Sequence, residues 1–170
     1  MKKIILIGNN ETITDKTIQE LELDSDTLII LFNHHMPLKW EKIKKHENKV
    51  VFLRYNGSTY WGQEVFNKNK KLFKKAYYLH RKYFMDEKKK VEFFSDEEYE
   101  KFGFIQHCPT SGLCAYLYVM KYLYDEDTKV YLVGFSLNYK TISSCHSKNI
   151  ELNFYQEELT KNPNLIKLDK

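Results

Sequence analysis

The sequence predicts an α/β fold, a three-layer sandwich with a mostly parallel central sheet. Three observations carry this expectation. Several short runs are apolar throughout rather than alternating, the mark of strands covered on both faces. Segments with helical spacing separate those runs, so strand and helix alternate along the chain. Several of the runs end in glycine or asparagine, as strands do where they turn out of a sheet.

The elements follow in order. Residues 3–7 (Lys-Ile-Ile-Leu-Ile) form a short apolar strand ending at Gly8, and residues 12–21 have the polar-capped spacing of a first helix. Residues 28–32 (Leu-Ile-Ile-Leu-Phe) are a second strand, ending at Asn33, and residues 49–53 a third, running out at Arg54-Tyr55-Asn56-Gly57. Residues 61–71 read as a helix and 76–80 as a further strand; the tyrosine-rich stretch 76–84 is open to two readings, a buried strand or a dimer contact. Ser95 followed by Asp96-Glu97-Glu98 is a helix start, with an N-cap hydroxyl and acidic residues in the first turn. Residues 110–124 are apolar nearly all round, which predicts a buried helix. Residues 129–133 are a central strand ending at Gly134, 149–159 a helix, 162–164 a turn and 165–168 a last strand. The pattern is Rossmann-like. The 170 residues contain no repeat or linker, so residues 1–170 are expected to form a single domain.

Composition narrows the function classes. Three cysteines (Cys108, Cys114, Cys145), odd in number and without CxxC spacing, argue against a disulfide framework and a zinc site. The apolar run after Lys2-Lys3 stops at Gly8, short of the roughly 7–15 residues of a signal peptide, and no run approaches the roughly 18 of a membrane span. A cytoplasmic protein is the expectation. Basic clusters at 42–45, 68–75 and 88–90 accompany a net charge of +4. They read first as a solvated face, and second as an attraction for an anionic ligand or the inner membrane surface. No nucleic-acid motif accompanies them.

Ligands of parallel sheets bind at the carboxyl ends of the strands. That rim is expected to carry Gly8, Asn9 and Asn10, then Asn33 with His34 and His35, and Asn56. Gly134, Phe135 and Ser136 to Tyr139 complete it. The start of the buried helix, Pro109-Thr110-Ser111-Gly112, has free N–H groups that suit a phosphate. His146, beyond the Gly-Phe strand exit, is the candidate general base. GxGxxG, GxxxxGK[ST] and GxSxG are all absent, which disfavours a common dinucleotide site, a P-loop and an α/β-hydrolase elbow. His34 and His35, neighbours at a strand end, point to opposite sides and make a poor metal pair. What remains suits a nucleotide-sugar reaction.

The ordered fragments Ile-Gly8-Asn9-Asn10, Phe-Asn33, Thr110-Ser111-Gly112, Val-Gly134-Phe135 and His146-Ser147 resemble the motifs of the sialyltransferases. The likeness is to the bacterial lipooligosaccharide enzymes of glycosyltransferase family 42 and, more distantly, to animal family 29. It implies inverting, metal-independent transfer of sialic acid or a related sugar from a CMP-sugar to a glycan or glycolipid acceptor, with no cofactor. It implies that Asn9, Asn33, Thr110, Ser111 and Gly112 contact the donor, that Tyr139 hydrogen-bonds the leaving phosphate, and that His146 is the base. The interval 136–145 is too short for the lid-like insertion of these relatives. A non-catalytic nucleotide- or glycan-binding module of the same fold therefore stands beside the enzyme reading.

Overall fold

The computed structural model describes residues 2–10, 13–80, 83–86, 89–92, 94–101, 109–135 and 148–168. Eight strands form one sheet: β1 Lys2–Ile7, β2 Leu28–Phe32, β3 Lys49–Arg54, β4 Lys75–Leu79, β5 Tyr83–Asp86, β6 Lys89–Glu92, β7 Thr128–Val133 and β8 Leu165–Lys167. Their order is β6-β5-β4-β3-β2-β1-β7-β8. Six strands, β4 to β8 across the centre, pair in parallel, while β5 and β6 join one edge antiparallel. The α/β sandwich with a mostly parallel sheet is therefore what the sequence forms.

The layers follow from the pleat, which sends successive side chains to opposite faces. Ile4 and Leu6 face one way with Ile30, Phe52 and Val130. They pack under α5 (Ser111–Tyr122) and α6 (Lys148–Lys161), which contribute Leu113, Tyr116, Val119 and Tyr155. Ile5 and Ile7 face the other way with Ile29 and Leu31. There they meet Ile18 of α1 (Asp15–Glu20) and Ile43 of α2 (Glu41–Lys45). Phe66 of α3 (Gln63–Asn69) covers Val51 and Leu53 on that same side. A central strand buried on both faces must be apolar along its buried middle, as β1 is over residues 4–7, β2 over Leu28–Phe32 and β3 over residues 50–53.

Helix ends obey local chemistry. Thr14 caps α1 by accepting the Thr17 N–H at 3.2 Å. Ser95 and Glu98 form a reciprocal capping box at the start of α4 (Asp96–Lys101), with Glu98 N–H donating to Ser95 Oγ at 3.0 Å and Ser95 N–H to Glu98 Oε2 at 2.8 Å. The helix expected over 12–21 is shorter, because its described helical turns begin only after the Thr14 cap. The helix expected over 61–71 begins at Gln63 and ends in a 3₁₀ turn at Lys70–Leu72.

Four elements had no place in the sequence reading: a 3₁₀ turn at Met36–Lys39, α2, β5 and β6. The β5–β6 hairpin has a mixed, half-exposed pattern, and its lysines resemble a solvated run. Phe84 is nonetheless buried and meets Tyr118 of α5 edge-on at 4.7 Å, and the Tyr122 hydroxyl donates to the Glu92 carbonyl. The tyrosine-rich stretch thus supplies most of the internal strand β4 and, at Tyr83 and Phe84, the start of its antiparallel neighbour β5. Among the described residues no helix is long and apolar enough to cross a membrane.

Candidate functional site

Strands added after β1 run outward on one side through β2, β3 and β4, whereas β7 and β8 lie on the other. The switch point falls between the carboxyl ends of β1 and β7, the position at which open α/β sheets take their ligands. The two exits are tied together, since Gly8 N–H donates to the Val133 carbonyl at 2.8 Å. A Cβ at position 8 would stand 2.7 Å from the Gly134 carbonyl oxygen, so only glycine fits that approach.

Asn9 leaves β1 and its amide grips the exit of β2. Nδ2 donates to the Phe32 carbonyl at 2.8 Å, and Oδ1 accepts the Met36 N–H at 3.1 Å. Both ends of this side chain therefore hold the neighbouring loop in place. The Asn10 carbonyl accepts the Ile13 N–H at 3.3 Å and starts the turn into α1.

Asn33 ends β2 with a left-handed backbone, φ 44°, which asparagine tolerates better than most residues. Its Oδ1 accepts the Arg54 N–H at 3.0 Å, and its Nδ2 reaches Ser111 Oγ at 3.5 Å. One short side chain thus joins the ends of β2 and β3 to the start of α5. Arg54, at the end of β3, is 8% exposed and donates through its guanidinium to the Pro109 carbonyl at 2.7 Å. The same nitrogen lies 3.7 Å from Cys114 Sγ, and Cys114 is fully buried in the main apolar cluster, as its position inside an apolar helix suggests.

Thr110 is the N-cap of α5. Its hydroxyl oxygen accepts the Leu113 N–H at 3.2 Å and its own proton goes to Glu151 Oε2 at 2.6 Å. Glu151 Oε1 accepts the Thr110 N–H at 2.5 Å. The carboxyl of α6 therefore sits against the very helix start that the sequence offers to a phosphate. The N–H groups of Ser111 and Gly112 in the first turn have no partner within the helix. Gly112 lies directly on the ring of Phe135, which is buried and also meets Phe32 and Tyr155 edge-on.

Electrostatics at this point are set by burial. Glu151 is 1% exposed, and desolvation pushes its carboxyl up from 4.5 to about 7, against the pull of Thr110 and of the Arg54 guanidinium. The group thus exchanges a proton near neutral pH. His35 is the opposite case. It lies buried between Phe66 and Phe73, and burial pushes its imidazole down to about 4. Neither ring nitrogen has a hydrogen bond, although the Phe32 carbonyl is near enough to pull weakly the other way. His34 is exposed, so the two neighbours do diverge. Among the described residues no group of three or more His, Cys, Asp or Glu is placed to hold a metal ion.

The structure therefore brings Gly8, Asn9, Asn33, Thr110, Ser111, Gly112, Gly134 and Phe135 to one rim, with Asn10 at its edge. Ser136, Tyr139 and His146 lie outside the described residues, as do Cys108 and Cys145. Two charged groups of the rim escaped the sequence reading, Arg54 and Glu151. A guanidinium closing an otherwise apolar strand is a visible signal for the first. The second had only a faint one: Glu151 precedes Tyr155 by one helical turn, and both are buried. The chain matches no protein-family model, no curated protein and no solved structure.

Proposed function

We propose that this protein is a sialyltransferase-like glycosyltransferase, which moves sialic acid or a related sugar from a CMP-sugar to a glycan or glycolipid acceptor without a metal. The observation that carries the reading is the Asn33 side chain, which links β2, β3 and Ser111 at the rim where the Gly8–Asn10 and Gly134–Phe135 exits also meet. Segments far apart in sequence that resemble one family's ordered motifs are thus neighbours in space.

In this reading the first turn of α5 and the Ser111 hydroxyl hold the nucleotide phosphate, and the helix dipole and Arg54 supply positive potential. His146 takes the proton of the acceptor hydroxyl. That oxygen bonds to the anomeric carbon as the bond from this carbon to the phosphate oxygen breaks. CMP leaves with its charge met by the helix start and by Tyr139.

One observation favours a second reading, a binding module of the same fold. Thr110 and Asn9 already have partners within the protein, and a phosphate would have to share the start of α5 with Glu151.

The deciding experiment incubates the protein with CMP-sialic acid, with and without lactose as acceptor, and follows CMP release in wild type and His146→Ala. Release that depends on His146 and rises with acceptor is the expected result. CMP binding without release favours the binding module. Neither binding nor release, with CMP, CDP, UDP and GDP alike, rejects both.

A further inference from the structure

The rim holds a buried carboxyl that no step above uses. Glu151 is 1% exposed and so reaches no ligand itself. Whatever it does passes through Thr110, which is partly exposed beside Ser111 and Gly112 at the start of α5.

A threonine hydroxyl has one proton to give and two positions at which to accept. Thr110 Oγ accepts the Leu113 N–H at 3.2 Å and lies 2.6 Å from Glu151 Oε2. That second contact has two directions. When Glu151 is ionised it has no proton to give, so the Thr110 proton points to it and none is left for a ligand. When Glu151 is protonated, Oε2–H donates to Thr110 Oγ, both accepting positions are filled, and the Thr110 proton is released to an outside acceptor. Oε1 keeps the Thr110 N–H in either state.

The surroundings hold the two states close in energy. Thr110 from α5 and, among the described residues, the Arg54 guanidinium from β3 favour the ionised form. Burial outweighs them and brings proton exchange to about 7. An anion at the start of α5 tips this balance, because its charge disfavours a second negative charge close by.

We infer that Glu151 is a proton-operated positioning residue for the phosphate site at the start of α5. It takes up one proton as the donor phosphate binds, and this frees the Thr110 hydroxyl to donate to that phosphate. The inference rests on the glycosyltransferase reading for the identity of the anion. It also removes the conflict between Glu151 and a phosphate at that helix start. The protonated carboxyl carries no charge and no longer holds the hydroxyl proton. Uptake of a proton and affinity are linked. Below about 7 the proton is already in place and binding is complete; above it, binding must first add the proton, so affinity falls as pH rises.

The test is titration calorimetry from pH 6 to 8.5 with two anions whose charge is constant over that range, methyl cytidine 5′-phosphate and inorganic sulfate. Wild type is compared with Glu151→Gln. Glutamine keeps both contacts, accepting the Thr110 N–H through Oε1 and donating from Nε2 to Thr110 Oγ, and so copies the protonated state permanently. The expected result is a wild-type affinity that falls about tenfold across the range, and a Glu151→Gln affinity that stays throughout at the wild-type value for pH 6. A carboxyl that merely ties α6 to α5 would give the variant no gain over wild type at pH 8.5, and that outcome overturns the inference. A flat wild-type profile overturns it too, as does an equal slope in Glu151→Gln, which would belong to another titrating group. Should the variant misfold, the amide NMR shift of Thr110 in wild type decides. It should titrate near 7 with a midpoint that the diester raises, and an unmoved midpoint overturns the inference. Diester binding with a flat profile leaves the glycosyltransferase reading standing. Sulfate binding with the expected profile, in a protein that neither binds the diester nor releases CMP, leaves the proton switch standing and removes that reading. No binding of either anion overturns both.

Discussion

Glu151 closes the start of α5 through both of its oxygens, one on the Thr110 N–H at 2.5 Å and the other on the Thr110 hydroxyl at 2.6 Å. The pair couples α6 to the rim and places a titrating group where an anionic ligand would approach. A carboxylate near a helix N-terminus is favoured by the dipole, but burial on this scale costs more than the dipole returns. A raised proton affinity is the outcome.

This makes stability depend on pH in a defined direction. Between the ordinary value of 4.5 and about 7, the folded protein keeps a proton on Glu151 that the unfolded chain has released. The contribution is complete below 4.5 and is lost as pH rises through 7, amounting to up to about 3 kcal/mol. Glu151→Gln, followed by urea denaturation from pH 4.5 to 8, should flatten this slope. A variant whose slope equals that of wild type would show that Glu151 titrates normally.

His35 works in the opposite sense. Its imidazole is held neutral down to about 4, so stability is complete above the ordinary 6.5 and is lost as pH falls toward 4. His35→Phe keeps the ring contacts with Phe66 and Phe73 and removes two buried nitrogens that have no hydrogen bond. At pH 8 the variant should match or exceed wild type by about 1 kcal/mol. At pH 5 the advantage should grow by about 2 kcal/mol, read from denaturation midpoints at the two pH values.

Asn33 combines a left-handed backbone with an amide that receives the Arg54 N–H. Asn33→Ala loses both, with an expected cost of about 2–3 kcal/mol. Asn33→Gly restores the backbone freedom but not the acceptor, and should recover about 1 kcal/mol of that loss. Equal destabilisation by the two variants would place the whole effect in the hydrogen bond.

Gly62 and Gly57 both have positive φ, 77° and 102°, but differ in surroundings. A Cβ at position 57 meets nothing within 4 Å, so Gly57→Ala should cost about 1 kcal/mol of backbone strain alone. A Cβ at position 62 collides with the Asn33 backbone, so Gly62→Ala should cost at least about 2 kcal/mol more. Thermal midpoints separate the two. Similar losses would mean that the loop slides freely past Asn33.

The central strands were legible because their physics is local. A strand between two helical layers is apolar through its middle, and β1, β2 and β3 carry that mark in the runs 4–7, Leu28–Phe32 and 50–53. The start of α5 was legible for the same reason, since Thr110 caps through a contact three residues away. The β5–β6 hairpin was not, because an edge exposed on one side mixes lysines with apolar residues and its pairing with β4 is a choice of neighbour rather than of composition.

The sequence by itself determined the α/β class, the parallel core and the residues that end its strands, because side-chain periodicity encodes burial directly. Only the tertiary structure decided the strand order, the switch point between β1 and β7, and the meeting of Asn33, Arg54, Ser111 and Glu151. Those contacts join residues as much as 78 positions apart. Their partners are selected by how layers pack, and a buried carboxyl on one helix declares its partner on another only when the two helices lie side by side.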